Sequence, residues 1–97
     1  MKVVYKVPHE KEWAMDIPNN LRLLQTLVGG YIETLTVGDT VLIMNEEGKI
    51  LGLDPNLYLE QTDDVIQGPV LFTGISGDDF GSVDVRRAYE MIREMRL

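Results

Sequence analysis

Residues 28–56 read VGGYIETLTVGDTVLIMNEEGKILGLDPN, runs of β-forming residues broken at short intervals by glycine and asparagine. β-Branched and aromatic residues suit a pleated surface, and glycine suits tight reversals, so this stretch restricts the chain to short, mostly antiparallel strands. Residues 31–37 and 40–44 are expected to form a hairpin that turns at Gly38-Asp39. Asn45-Glu46-Glu47-Gly48 reads as a second turn, with Gly48 supplying a positive φ, and residues 49–53 as the strand that returns from it.

The flanking segments complete an α+β pattern. Residues 2–7 alternate valine and tyrosine with lysine and predict a first strand closed by Pro8, while residues 9–16 read as a loop that tucks Trp13 and Met15 inward. Ile17-Pro18-Asn19-Asn20 is a helix start, since asparagine accepts from exposed helical N–H groups, and Gly29-Gly30 is a helix stop. Between them Leu21, Leu24 and Val28 have helical spacing. Asp54-Pro55-Asn56 breaks the chain, residues 57–62 favour neither helix nor strand, and residues 70–73 predict a further strand that starts after Pro69. Residues 74–81 read as a loop. Ser82 is then the expected cap of a terminal helix with Val85, Ala88, Tyr89, Ile92 and Met95 on one stripe and an Arg86–Glu90 pair on the wet side. The expected whole is one domain over residues 1–97: a mainly antiparallel sheet of four to five short strands with two helices packed on one face.

Composition narrows the chemistry. With no cysteine, disulfides, thiolate metal sites and thiol nucleophiles are excluded. Lys2 and Lys6 interrupt the opening residues, so no apolar signal core forms, and no apolar run nears the roughly 20 residues of a membrane span. A cytoplasmic protein is expected. The net charge is −7, but residues 33–79 hold ten acids against one base, Lys49, for −9. Nucleic-acid binding needs basic side chains facing phosphates, so direct contact with nucleic acid is not expected. An acidic surface serves either solubility or a basic partner protein.

No motif points to catalysis. His9 is the sole histidine and lacks the second histidine of a zinc-protease helix, and a triad with Ser76 or Ser82 has no supporting spacing. Glu46-Glu47, Asp63-Asp64 and Asp78-Asp79 are sequence neighbours, which point apart in strands and stay solvated in turns. Residues 74–82, GISGDDFGS, have the setting of a phosphate loop but no lysine, and two aspartates would repel phosphate. No cofactor, metal or catalytic residue is expected.

Taken as a set, IPNNLRLLQTLVGGYIE, NEEGKILGLDPN, DVIQGPVLFTG and GDDFGS resemble a small uncharacterised domain family common on phages, plasmids and integrative elements of Gram-positive bacteria. The resemblance implies an accessory role on mobile elements and assigns no catalytic residue. The leading expectation is therefore a non-enzymatic module that binds a protein partner through its acidic hairpin face, with Tyr31, Glu33, Glu46, Glu47 and Asn56 as contact residues. The alternative is a small-ligand binder for a nucleotide-like molecule, using Asn45, Asn56 and the backbone of residues 74–81. A homodimer is expected, through the open edges of the first and last strands and an apolar seam at Met91 and Met95.

Overall fold

The computed structural model describes all residues from 1 to 97. Strand β1 (Lys2–Lys6) pairs with β2 (Trp13–Asp16), and helix α1 (Leu21–Val28) follows. The hairpin β3 (Ile32–Val37) and β4 (Thr40–Asn45) comes next, then a ribbon of β5 (Pro55–Leu59) and β6 (Asp64–Gln67) joined by a 3₁₀ turn over Glu60–Thr62. Strand β7 (Val70–Ser76), the short β8 (Asp79–Gly81) and helix α2 (Val85–Met95) complete the chain. The main sheet is antiparallel in the order β2-β1-β7-β4-β3, with β8 paired to the far end of β7.

The three inner strands are buried on both faces, which is why VVYK, VLIM and VLF read as nearly continuous apolar runs. Val4, Leu42, Met44, Val70 and Phe72 point to one side, where they meet Leu57 and Ile66 of the ribbon and Ala88, Met91 and Ile92 of α2. Val3, Ile43 and Leu71 point to the other side, onto Leu24 and Val28 of α1. The helices thus lie on opposite faces, not together on one. Two apolar faces require two covering layers.

Local signals acted as expected at α1. Asn20 Oδ1 accepts from the Leu23 N–H at 3.0 Å, and Gly29 adopts φ 83° where its N–H reaches the Gln25 carbonyl. At the β3–β4 turn only Gly38 has positive φ, 64°, as in a type II′ reversal.

Elsewhere the chain departs from the sequence reading. Residues 13–16 are not loop but strand β2, because β1 would otherwise leave an open edge; Trp13 stays partly exposed, its ring edge-on to Tyr5 at 5.2 Å. Residues 49–53 form turns, not a strand: β4 already pairs with β3 and β7, and the segment bonds back on its own turn instead of reaching the β3 edge. Leu51 N–H bonds the Glu47 carbonyl and Leu53 N–H bonds that of Gly48, leaving Ile50 83% exposed. Gly48 does not carry the positive φ assigned to it; its backbone lies against the Gln67 carbonyl, where a Cβ would collide. The strand comes later, as β5 within residues 57–62 and just before them. Residues 74–81 are not loop either but a second hairpin, reversing at Gly77 with φ 61°. Ser82 continues the extended chain and accepts from the Lys2 N–H at 2.9 Å, so Asp84 caps α2 instead, accepting from the Arg87 N–H at 3.2 Å.

On α2 the ion pair is Arg87–Glu90 at 3.9 Å, not Arg86–Glu90. Met91 belongs to the core and is lost to any exposed seam. β1 is an inner strand, so the open edges of the main sheet are β2 and β3. No helix is long and apolar enough to cross a membrane.

Gly48→Ala should destabilise the fold by about 2 kcal/mol, because the added methyl must push β6 away from the turn. Urea denaturation of the two proteins measures it.

Candidate functional site

Beside β3 lies an open groove of about 470 Å³. Its walls are Glu33 and Leu35 of β3, Met44 of β4, the turn from Glu46 to Ile50, and Leu59 with β6 across the way. Alternation along β3 sets this arrangement: Glu33, Leu35 and Val37 share the face that carries α2 and the ribbon, while Ile32 turns toward α1. A second cavity of about 310 Å³ continues past Leu59, between Val37, Tyr58, Met91 and Met95, with Glu60 and Glu94 at its rim.

The groove is acidic. Its one base, Lys49, is hydrogen-bonded to Asp64 Oδ1, which also accepts from the Val65 N–H at 2.8 Å. These two donors, Lys49 first, hold the Asp64 carboxyl below the usual carboxylate range, with desolvation opposing. Glu33 and Glu46 are exposed and make no ion pair. Tyr31, 67% exposed, stands at the same end, where its carbonyl accepts from the Glu46 N–H at 2.8 Å. Glu47 is exposed one residue further on. Four of the five residues expected to contact a partner, all but Asn56, thus gather around one end of β3.

Asn45 and Asn56 do different work. Asn45 donates to the Val28 carbonyl at the end of α1 and accepts from the Glu47 N–H at 2.7 Å, so it joins helix to turn. Asn56 donates to the Lys6 and Gly68 carbonyls at 2.9 and 2.8 Å and accepts from Lys6 Nζ at 2.9 Å. Asn56 thus spends both amide N–H groups and its oxygen inside the fold, and Asn45 one N–H and its oxygen. Neither of these two cavities is lined by Asn56 or by residues 74–81.

Sequence reading missed the buried polar cluster around Lys6. This side chain shares a face with Val4, is 4% exposed, and has its ammonium between the Asn56 amide and the Val7 carbonyl. Burial pulls its pKa below the ordinary lysine value, Arg96 pushes the same way, and Glu12 and Glu10 oppose. Nearby, both Glu12 oxygens take Arg96 Nη2 at 3.0 and 2.8 Å, tying the segment before β2 to the end of α2. The only signal was a lysine at an inward position of an alternating strand, which does not name its partner. His9 Nε2 lies 3.1 Å from Asp54 Oδ2 with both side chains exposed, and no three His or acidic side chains gather where a metal could sit.

Residues 1–95 match the family described as Domain of unknown function (DUF3846). The chain belongs to that family. No curated protein and no solved structure matches it. For this DUF3846 domain, the description agrees with the resemblance to a small uncharacterised family, and its reach takes in β1 and β2 as well as the motifs between Ile17 and Ser82.

Two measurements probe this architecture. Asn56→Ala strands two carbonyls and a buried ammonium and should cost about 3 kcal/mol in urea denaturation. For Asp64, whose folded pKa lies below its unfolded value, the Lys49 contribution is present above the unfolded value and lost as pH falls through the folded one. Asp64→Asn should therefore be less stable than the parent near neutral pH, and the gap should close in acid, as urea midpoints at about pH 7 and about pH 2 would register.

Proposed function

We propose that this chain is a non-enzymatic binding module, an accessory protein of a phage or other mobile element, that acts in the cytoplasm by holding a basic protein. The contact surface is the acidic end of the β3–β4 hairpin. The observation that carries this reading is the pairing pattern in the groove: Glu33 and Glu46 line it unpaired, while its only base is spent on Asp64. Tyr31 adds an exposed aromatic ring beside them, the residue type that anchors protein interfaces most often together with tryptophan and arginine. Glu47 extends the acidic rim. Asn45 and Asn56 support the surface from inside without touching the partner.

Opposite charges at an interface rim set encounter rate and partner choice, and they weaken as salt screens them. A fluorescein-labelled octa-arginine peptide should bind the protein with an affinity that falls as salt rises. Replacing Glu33 and Glu46 together by lysine should weaken that binding about tenfold or more, with Glu10 and Asp78 replaced together by lysine, both exposed and outside the groove, as the charge-matched control. Equal binding by the double variant, or a control that weakens it as much, overturns the reading.

A further inference from the structure

β3 ends the main sheet: it pairs with β4 alone. The register makes Val37 and Thr40 the pair flanking a two-residue turn, and Tyr31 accepts from Glu46, so residues 31, 33, 35 and 37 spend their backbone groups on β4. Ile32, Thr34 and Thr36 must then turn their N–H and C=O groups outward, three donors and three acceptors along one line. Native edge strands are usually blunted by proline, lysine, a bulge or short length. β3 has none of these. It is six residues long, pairs without a register shift, and reads IETLTV.

The groove described above runs along this edge. Leu35 lines its larger part, Val37 its smaller part, and Leu59 lines both. Side chains of an added strand on this face recur every second residue, roughly 7 Å apart. Its positions opposite Glu33, Leu35 and Val37 would all look into the groove. Charge decides what they are. The rim carries Glu33, Glu46, Glu60 and Glu94, while Lys49 and Arg87 are engaged with Asp64 and Glu90.

We propose that β3 receives an extended basic segment of the partner protein as an added antiparallel strand. Running from its N-terminus, the segment places an apolar residue opposite Val37, a second opposite Leu35, and arginine or lysine opposite Glu33. The alternate residues face the α1 side and supply the N–H and C=O groups that bond Ile32, Thr34 and Thr36. Main-chain bonding gives affinity and the groove gives selectivity, as in other strand-addition complexes. This inference rests on the acidic-face reading and adds the mode of capture.

The test uses acetyl-Thr-Val-Thr-Leu-Thr-Arg-Thr-amide with the intact protein. Its arginine-to-glutamate version should bind at least about tenfold more weakly. N-methylation at its second and third threonines, which blocks two N–H groups aimed at β3, should abolish binding. Hydrogen exchange followed by NMR should show the amides of Ile32, Thr34 and Thr36 fast in the free protein and protected with peptide, those of Glu33, Leu35 and Val37 being slow in both. Binding that needs the arginine but ignores N-methylation overturns strand addition while leaving the acidic-face reading standing. Protection that arises without peptide and grows with protein concentration assigns the edge to a second copy and overturns the proposal. So does an absence of binding up to about 1 mM peptide.

Discussion

Everything in this fold depends on β7 having no free side. It is hydrogen-bonded to β1 on one edge and β4 on the other, and its side chains are buried above and below. A strand in that position needs a covering layer on each face. One is α1, short but capped at both ends. The other is shared by α2 and the β5–β6 ribbon, which together cover Phe72, Val70 and Leu42. The ribbon would be marginal alone, and packing against a helix and a sheet is what stabilises it. Because the ribbon stands off the sheet beside β3, a groove is left between them.

Two sets of polar side chains divide the labour. Lys6 and Asn56 are buried and fasten β1 to β5, and Glu12 with the more exposed Arg96 fastens the segment before β2 to the end of α2. Glu33, Glu46 and Glu47 are exposed and hold nothing together. Asn45 stands between these sets, with its amide hydrogen-bonded to the end of α1 and the residue itself in the groove wall. Removing a member of the first set strands buried partners, while changing the second alters only the surface field. A folded state can therefore keep its shape while its acidic face varies.

The two Gly-Asp pairs explain what was legible in the sequence. Gly38-Asp39 lies between long β-branched runs, so its hairpin could be read directly. Gly77-Asp78 makes the same kind of reversal, but Ser76 and Asp79 on either side disguise the strands, which exist because β7 extends beyond its neighbours. Local signals also placed α1, its asparagine cap and the terminal stripe. They could not place residues 49–53, where strand-like composition lost to hydrogen bonds back onto the turn at Glu47 and Gly48. Nor could they reveal that helices would take opposite faces, which depends on which strands become central. For the site, Glu33, Glu46, Glu47 and Tyr31 were visible as charge and exposure, whereas the internal roles of Asn45 and Asn56 depend on partners distant in the chain.

The strand order also sets a sequence of events. The β3–β4 hairpin closes between residues adjacent in the chain, and α1 packs on it from next door. β1 must instead wait for β7, its partner from the far end of the sequence, as Val4 opposite Phe72 illustrates. Contacts of such long separation are the slow ones, since chain entropy is lost before they form. During synthesis the two strands of that hairpin emerge one after the other, whereas β1 and β2 have no place in the sheet until β7 has been made. A partner that recognises that edge would meet it early, on a nascent protein whose β1–β2 pair still waits for β7.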